Sequence, residues 1–305
     1  MNKYLISIVG PTGIGKTALS LKLASHFNTE IISADSRQFF KEIPIGTAAP
    51  TTDELAVAPH HFIHHKSIQE AYSVGAFEKE AIKTIELLHQ SKAVVIMVGG
   101  SGLYVDAVTK GFDEFPDIDP KIRTQLNLEL ETKGLDFLRG ELKQLDPQSY
   151  NSIALKNPHR VIRALEVCRG SGQPYSSFLN KNKQDRSFKT LSIGLKADRP
   201  LIYKRINTRV DQMVKHGLLE EARAVFMHKE LNALNTVGYK ELFNYFDSQW
   251  TLEFAISEIK KNTRRFAKRQ MTWFQKDSDT QWFAYDSDLQ HILDYIIHQL
   301  QKKTS

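Results

Sequence analysis

Residues 10–17, GPTGIGKT, constrain the fold of this chain more than any other segment, because they match the phosphate-binding pattern G-x-x-x-x-G-K-[ST]. A short apolar run at residues 5–9 precedes them and predicts a strand that is buried on both faces. Apolar residues at helical spacing follow them, so the segment joins a strand to a helix, the context that such a loop requires. The sequence therefore predicts an α/β fold whose first loop holds phosphate groups.

The residue types of this loop account for its predicted chemistry. Its glycines let backbone amides turn toward phosphate oxygens, and the following helix adds positive potential at its N-terminus. Lys16 supplies a point charge, and the Thr17 hydroxyl can bind Mg²⁺. The loop would hold a nucleotide or any other diphosphate equally well. The predicted diphosphate-binding residues are Gly10, Pro11, Thr12, Gly13, Ile14, Gly15, Lys16 and Thr17.

The rest of the chain continues the alternation of strands and helices. Further strands are predicted at residues 30–33, 93–98, 189–195 and 282–285, and long helices at 73–90, 200–216, 251–276 and 289–300. Proline and glycine residues divide the stretch at 113–188 into short helices. We therefore predict an α/β, P-loop NTPase-like core with a mainly parallel sheet flanked by helices, formed by residues 1–112 and 189–305. A helical insertion domain is predicted at 113–188.

Composition excludes several other classes of protein. Hydrophobic residues make up 41% and charged residues 25% of the 305 residues, which excludes a disordered or collagen-like chain. The single cysteine, Cys168, cannot form an internal disulfide or a Cys-based zinc site and predicts a structural thiol in a reducing compartment. No apolar run is long enough to span a bilayer and no export signal is visible, so a soluble protein is expected. The single cysteine favours the cytoplasm, and a monomer is the default expectation. The net charge of +6 favours a polyanionic partner such as nucleic acid.

Two further candidate residues follow predicted strands. Asp35 comes at the end of the second strand and would lie close to the phosphate loop if the first two strands are neighbours. Its carboxylate could accept a proton from a nucleophile or hold metal-bound water, or it could cap a helix. Ser101 lies in the glycine cluster at residues 99–102, which would bring its hydroxyl to the same edge of the sheet.

The pattern of basic residues indicates anion binding. Arg205 and Arg209 share a predicted helix face and could clamp an anion, unless neighbouring acids pair with them. Arg160 and Arg163 share another face, with solvated arginines as the alternative. Between residues 260 and 276, seven Lys and Arg residues interleave with aromatic residues and no acid occurs. Such a segment suits a phosphate backbone and stacked bases.

A group of four histidines lies in a segment that is predicted to be a loop. The group consists of His60, His61, His64 and His65. No acidic or cysteine pattern accompanies it, so we interpret these side chains as surface or nucleic-acid-facing residues rather than metal ligands.

Together these segments resemble the tRNA dimethylallyltransferase family, also called tRNA isopentenyltransferases, in its bacterial form. The resemblance extends over nearly the whole chain and rests on seven motifs in order: GPTGIGKT at 10–17, SADSRQFF at 33–40, IGTAAPT at 45–51, VGGSGLYVDA at 98–107, NPHRVIRALEV at 157–167, VGYKEL at 237–242 and TRRFAKRQMTWF at 263–274. The chain departs from the usual family sequence at Gly13, Ile14, Ala49, His64 and Ser101, where Ser101 stands in place of the usual threonine.

The resemblance implies transfer of a dimethylallyl group from dimethylallyl diphosphate to the exocyclic amine of the adenosine 3′ of the anticodon in tRNA. It implies that Asp35 is the general base and that Ser101 assists at the reacting centre. Lys16, Thr17 with Mg²⁺, and Arg205 or Arg209 would neutralise charge on the leaving diphosphate. The target base would leave its stack to react. The residues implied to bind tRNA are Asp35, Ser36, Arg37, Gln38, His159, Arg160, Val161, Ile162 and Arg163, to which the basic segment adds Arg264, Arg265, Lys268 and Arg269.

Three other functions stay open at this point. An adenylate isopentenyltransferase would use the same loop and base on a free nucleotide, but it has little need for a helical insertion or a basic aromatic segment. A small-molecule or nucleoside kinase would use the loop for ATP and would leave the same features unexplained. An RNA-binding protein with a relic loop would bind tRNA without any turnover.

Overall fold

A computed structural model describes residues 2–179 and 185–302 of the chain. Residues 1 and 303–305 of the predicted core and residues 180–184 of the predicted insertion lie outside the described residues. The strands are β1 (Tyr4–Val9), β2 (Ile31–Ser33), β3 (His60–His61), β4 (Val94–Val98), β5 (Lys189–Lys196) and β6 (Gln281–Ala284). The helices are α1 (Lys16–Phe27), α2 (Thr52–Val57), α3 (Val74–Leu88), α4 (Gly102–Lys110), α5 (Pro120–Lys133), α6 (Leu135–Leu145), α7 (Pro147–Ser152), α8 (Pro158–Ser171), α9 (Arg199–Lys215), α10 (Leu218–Val225), α11 (Tyr239–Phe246), α12 (Leu252–Phe274) and α13 (Leu289–Gln301).

The six strands form one sheet in the order β3-β2-β4-β1-β5-β6, and every pair is parallel. Successive residues of β1 point to opposite faces, so Leu5 and Val9 pack in one apolar cluster while Ile6 and Ile8 pack in another. Burial on both faces explains why β1 and β4 are nearly continuous apolar runs. The predicted fold class, a mainly parallel sheet flanked by helices, is confirmed.

The order of the strands corrects one premise of the sequence interpretation. β1 and β2 are not neighbours, because β4 lies between them and pairs with both. Ile96 of β4, for example, is opposite Ile6 of β1 and Ile31 of β2. In a parallel sheet all strands end at the same edge, so the loops after β1, β4 and β2 still lie in succession along it.

The histidine segment also differs from its prediction. His60 and His61 form the short edge strand β3 instead of a loop, because their backbones pair with Ile31 and Ile32. The His61 ring lies 2.7 Å from the Glu30 carboxylate, and His65 packs against aromatic rings. All four histidines are half-buried rather than surface side chains, and burial lowers the pKa of His65.

The chain divides into two compact units, Met1–Lys110 with Arg186–Ser305, and Gly111–Asp185. The first unit contains the sheet and a further apolar cluster around the fully buried Tyr239. The predicted insertion at 113–188 differs from the second unit by a few residues at each end. No helix among the described residues is both long enough and apolar enough to cross a membrane.

The second unit is helical, and its apolar core is formed by α5, α6 and α8. Pro120 and Pro158 occupy the first turns of their helices, and Asp119 caps the first of them by accepting a hydrogen bond from the Lys121 amide at 2.9 Å. Cys168 is a buried free thiol whose pKa is raised by burial, as expected for a structural residue.

Candidate active site

A cavity of about 1370 Å³ lies at the carboxyl edge of the sheet, wholly within the first unit. The loops after β1, β2 and β4 form one side of it, and residues of α9 and α12 form another. The loops that follow three of the strands therefore line the same cavity, because parallel strands end at one edge of the sheet. Lys16, Thr17, Asp35, Ser101, Arg205 and Arg209, the predicted catalytic residues, all line this cavity.

The phosphate loop depends on the backbone freedom of its glycines. Gly10, Gly13 and Gly15 have φ values of 142°, 78° and 113°, in the region where side chains are strained. A Cβ on Gly10 would also approach the Leu195 carbonyl oxygen to 2.7 Å. Gly15 immediately precedes α1, so the positive end of this helix faces the loop.

Lys16 lies across the loop. Its Nζ donates hydrogen bonds to the carbonyl oxygens of Gly10 at 3.0 Å and Pro11 at 2.9 Å. Burial lowers the pKa of Lys16 to about 8, although the Asp35 charge opposes that shift. The positive charge of Arg209 lowers this pKa further. The loop thus holds a cation that an entering anion would stabilise.

The predicted diphosphate-binding residues fall into three groups. Thr12, Gly13, Gly15, Lys16 and Thr17 line the cavity. Gly10 and Pro11 do not line it and instead accept the hydrogen bonds of Lys16. Ile14 is 1% exposed and packs in the apolar core, so its side chain anchors the loop to the sheet.

Two arginines of α9 contact the phosphate loop. Arg205 Nε donates to the Gly13 carbonyl oxygen at 2.7 Å, and Arg209 lies 3.4 Å from the Thr12 hydroxyl and 3.3 Å from the Ala48 carbonyl oxygen. Neither arginine forms an ion pair with an acid among the described residues. Their spacing of one helical turn therefore places two cations beside the loop.

Asp35 begins a turn, and no helix follows it. Its Oδ1 accepts a hydrogen bond from the Arg37 amide at 3.1 Å, and its Oδ2 has no partner within the described part of the chain. The alternative of a helix cap is therefore wrong. Asp35 lines the same cavity as Lys16 and is near enough for its charge to act on the Lys16 pKa.

Ser101 stabilises the turn that carries Asp35. Its Oγ accepts from the Ser36 amide at 3.0 Å and donates to the Ser36 hydroxyl at 3.1 Å. The Ala34 amide donates to the Val98 carbonyl oxygen at 2.8 Å, which joins the ends of β2 and β4. A Cβ on Gly99 would collide with the Ala34 backbone, so only glycine permits this close approach.

Arg37 and Gln38 hold neighbouring segments. Arg37 Nη1 donates to the carbonyl oxygens of Asn232 at 2.8 Å and Ala233 at 3.1 Å. Gln38 Nε2 donates to the carbonyl oxygens of residues 47 and 48 at 3.3 and 3.1 Å. Both side chains therefore order the wall of the cavity, which both also line.

Two structurally important residues of the site had not been singled out from the sequence. Gln270 is 5% exposed, accepts from the Thr12 amide at 2.8 Å and donates to the Gly100 carbonyl oxygen at 2.9 Å. The sequence does contain a signal for Gln270. Ala267, Gln270 and Phe274 are spaced as the buried face of a helix, and a buried polar side chain needs a hydrogen-bond partner.

The other overlooked residue, Glu221, fixes the loop that follows residue 44. Its carboxylate accepts from the amides of Ile45 at 2.7 Å and Gly46 at 2.8 Å, and from the Tyr239 hydroxyl. Gly46 leaves no space for a Cβ beside the Tyr239 ring. No local pattern connects residues so far apart in the chain, so this site could not be inferred from spacing.

The basic segment forms most of the second half of α12. Lys260 pairs with Asp211 at 2.6 Å, Lys261 pairs with Glu258, and Arg264 donates to Asn207 at 2.8 Å. The basic residues of the segment that remain exposed are Arg265, Lys268, Arg269 and Lys276. Phe266, Arg269 and Trp273 also line the cavity, so exposed cations and aromatic rings reach its mouth.

In the second unit, α8 carries the other predicted tRNA-binding group. His159 and Arg160 are exposed, whereas Arg163 pairs with Glu166 at 2.9 Å and stacks 5.0 Å from the Phe115 ring centre. The side chains of Val161 and Ile162 are buried in the core of this unit. The surface part of the segment therefore consists of His159, Arg160 and Arg163.

The inner strand β1 of the parallel sheet is followed by GPTGIGKT, and Lys16 lies across this loop. These features define a P-loop protein of the α/β class. A family model described as IPP transferase matches residues 38–277. The chain belongs to the IPP transferase family, which confirms the family resemblance of its motifs. The match begins after the phosphate loop, so the loop and the family model are separate lines of support.

Relatives that match nearly the whole chain carry the corresponding name. The chain is 61% identical to a tRNA dimethylallyltransferase of Christiangramia forsetii, over 97% of this chain and 98% of that protein. It is 57% identical to a tRNA dimethylallyltransferase of Flavobacterium johnsoniae, over 98% and 99%.

Solved structures show the same fold. The full-length tRNA isopentenylpyrophosphate transferase of Bacillus halodurans aligns with a TM-score of 0.74 and 37% identity, over 98% of this chain and 97% of that one. A eukaryotic dimethylallyltransferase acting on tRNA aligns with a TM-score of 0.78 and 27% identity, over 98% of this chain and 78% of that one.

Proposed function

We propose that this protein is a tRNA dimethylallyltransferase, which transfers a dimethylallyl group from dimethylallyl diphosphate to the exocyclic amine of the adenosine 3′-adjacent to the anticodon and releases diphosphate. One observation carries the proposal: a single cavity brings together a phosphate loop with its lysine and an aspartate whose Oδ2 has no partner among the described residues. The names of the near-full-length relatives support the same reaction. All these site residues belong to one chain, so we propose that a monomer suffices, working in the cytoplasm where its tRNA substrate is found.

The reaction needs a base that removes the proton and a positively charged site that binds the leaving diphosphate. The bond between the first carbon of the dimethylallyl group and the diphosphate oxygen breaks, and its electron pair leaves with the diphosphate. That carbon bonds to the adenosine nitrogen, whose proton passes to the Asp35 carboxylate. Because the nitrogen lone pair is delocalised into the ring, proton removal and charge stabilisation are what the protein must supply.

Three cations are available to the leaving diphosphate. Lys16 lies across the phosphate loop, and Arg205 and Arg209 flank it. The positive charge of Arg209 contributes to the lowered pKa of Lys16. Burial lowers the pKa of Arg209 itself, and the negative charge of Asp35 opposes that shift. We propose that these groups stabilise the negative charge that grows as the allylic bond breaks, and that Ser101 orients the turn of Asp35.

Mg²⁺ fits this site as the cofactor. Thr17 lines the cavity, and its hydroxyl is a hard oxygen donor with no hydrogen-bond partner among the residues that the structure describes. Thr17 would hold the ion, whose other ligands would be diphosphate oxygens and water. When bound, the metal would act as a Lewis acid on the diphosphate.

The tRNA would approach along α12. Exposed Arg265, Lys268 and Arg269 can contact phosphates, and Phe266 and Trp273, each 38% exposed, offer flat surfaces to bases near the cavity mouth. A base that leaves its stack could then enter the cavity, whose volume exceeds that of most small-molecule sites. We propose that His159, Arg160 and Arg163 of the second unit add further contacts to the tRNA.

Replacing both Arg265 and Arg269 by alanine should weaken tRNA binding and reduce the slope of log K against log salt by about one for each lost phosphate contact. Filter binding or fluorescence anisotropy across a salt series would measure the slope. Lys79 and Lys83 on α3 are also exposed and four residues apart, so their double alanine variant is a matched control that should keep the slope. An unchanged slope in the Arg265 and Arg269 variant would remove this part of α12 from the interface.

Diphosphate affinity should fall as pH rises above 8. The Lys16 pKa is lowered to about 8 in the free protein, so Lys16 is charged below that pH and progressively neutral above it. A bound anion favours the charged form, and at pH 9 only about a tenth of the free protein is protonated, so binding should be about tenfold weaker than at pH 7. Titration calorimetry with inorganic diphosphate and Mg²⁺ should also show that binding near pH 8 is accompanied by proton uptake. This proton uptake should be absent in Lys16→Met.

The reaction itself is tested by incubating the protein with Mg²⁺, dimethylallyl diphosphate and unmodified tRNA, followed by nucleoside mass spectrometry. One added dimethylallyl group on adenosine is the expected result. Prenylation of AMP alone would favour an adenylate isopentenyltransferase, and consumption of ATP without prenylation would favour a kinase. Binding of tRNA with no turnover in any assay would favour an RNA-binding protein.

A further inference from the structure

Gln270 is a buried side chain with two well-defined partners at the active site. It lies on α12, and its carboxamide spans from the phosphate loop to the turn after β4. The Thr12 amide donates to Oε1 at 2.8 Å, and Nε2 donates to the Gly100 carbonyl oxygen at 2.9 Å. Gln270 thus connects two loops whose residues are far apart in the sequence.

The amide of Gln270 satisfies both partners at once. Thr12 presents a donor and Gly100 presents an acceptor, which also fixes which end of the carboxamide is oxygen. A carboxylate would repel the Gly100 carbonyl oxygen, and an apolar side chain would leave both backbone groups unpaired. Gly100 in turn has no space for a Cβ, because that atom would collide with Nε2 of Gln270.

The connection continues to Asp35 through a short series of contacts. Ser101, which follows Gly100, accepts a hydrogen bond from the Ser36 amide at 3.0 Å, and Ser36 follows Asp35. On the other side, the Thr12 hydroxyl lies 3.4 Å from Arg209, and Thr12 belongs to the loop that Lys16 spans. Gln270 therefore joins the anion-binding half of the cavity to the half that holds the carboxylate.

The same helix carries the proposed tRNA surface. Arg269, the residue before Gln270, is exposed, and both residues line the cavity. Arg269 of the proposed tRNA surface and Gln270 beside the phosphate loop are thus adjacent residues of one 23-residue helix.

We propose that Gln270 is a positioning residue that sets the separation between the diphosphate loop and the Asp35 turn, and with it the alignment of leaving group, reacting carbon and base. The inference rests on the proposed function. Misplacement of reacting groups by about 1 Å can cost about 10²-fold in rate. Loss of Gln270 should therefore slow the chemical step while leaving the binding groups themselves in place.

The test compares Gln270→Met, which keeps the length but removes both hydrogen bonds, with Gln275→Met as a matched control. Gln275 is exposed just beyond the same helix and does not line the cavity. Single-turnover rates, and Kd values for inorganic diphosphate and for tRNA, would be measured for each. We expect Gln270→Met to be about 10- to 100-fold slower, with both Kd values within about threefold of wild type, and Gln275→Met to be unchanged.

A second variant supplies a signature that a merely structural residue would not give. In Gln270→Glu the charged carboxylate still accepts from the Thr12 amide but cannot donate to Gly100, whereas the protonated acid can do both. Burial raises the pKa of such a carboxyl. The rate of this variant relative to wild type should therefore recover as pH falls from 8 to about 5.5, while that of Gln270→Met should not change.

The outcomes separate the two proposals. If wild type forms no prenylated adenosine, the proposed function fails and this inference fails with it. If wild type is active and Gln270→Met reacts at the wild-type rate, only the role of Gln270 is overturned. If Gln270→Met weakens the binding of diphosphate or tRNA but leaves the single-turnover rate unchanged, the role of Gln270 is likewise overturned. Should Gln270→Met not fold, a flat relative pH profile for Gln270→Glu decides against the inference, and a recovering profile supports it.

Discussion

Replacing Asp35 by alanine should lower the single-turnover rate of dimethylallyl transfer by about 10²- to 10⁴-fold, as expected for the loss of a general base. The affinity for tRNA should change little, because the proposed interface lies mainly on α12 and α8. Asp35→Asn keeps an acceptor for the Arg37 amide, yet it cannot take a proton, so it should be nearly as slow as Asp35→Ala. Nucleoside mass spectrometry with enzyme in excess over tRNA would measure both rates.

The matched control for this prediction is Asp53→Asn, an exposed acid in the first turn of α2 that does not line the cavity. It should react at the wild-type rate. A wild-type rate in Asp35→Asn would exclude proton transfer to Asp35. A large loss of tRNA affinity with intact chemistry would instead assign Asp35 to tRNA recognition.

Replacing Lys16 by methionine should have the second largest effect, a fall of about 10²- to 10³-fold in the rate of transfer. This is the usual cost of removing one preorganised group that stabilises charge in the transition state. Lys16 is held over the loop by the carbonyl oxygens of Gly10 and Pro11, so little reorganisation precedes its contact with diphosphate. Binding of inorganic diphosphate should weaken as well, which calorimetry would show together with the rate.

Lys22 provides the control for Lys16, because it lies on the same helix, α1, but is exposed and outside the cavity. Lys22→Met should leave both the rate and the diphosphate affinity unchanged. Thermal unfolding of both variants would show that the fold is intact. If Lys16→Met transferred the dimethylallyl group as fast as wild type, the phosphate loop would not be the site of the leaving group.

Most elements could be predicted from the sequence because local patterns determine them. The strand, loop and helix around residues 4–27 follow from a short apolar run, the spacing of glycines and the helical period. Pro120 and Pro158 mark the starts of their helices for an equally local reason, since proline fits the first helical turn and the preceding Asp or Asn caps it. The family resemblance then implied roles for Asp35 and Ser101, and those roles stay predictions.

Other features could not be predicted, because they depend on partners far away in the chain. The two-residue strand at His60 has no strand pattern of its own and exists only because β2 offers an edge. The half-buried His65 has neighbours such as Phe39 and Tyr72 through tertiary packing alone. Arg163 and Arg264, which are predicted to bind tRNA, also contact Glu166 and Asn207 for the same reason.

The sequence by itself therefore determined the phosphate loop, the α/β class, the short helices between residues 120 and 171 and the family of this protein, because residue types and short-range spacing specify each of them. Only the tertiary structure decided that β4 lies between β1 and β2, that Asp35 nonetheless shares a cavity with Lys16, and that Gln270 and Glu221 hold the surrounding loops. All of these features depend on contacts between segments that are separated by many residues in the chain. Their geometry is fixed only when the sheet and its helices have packed together.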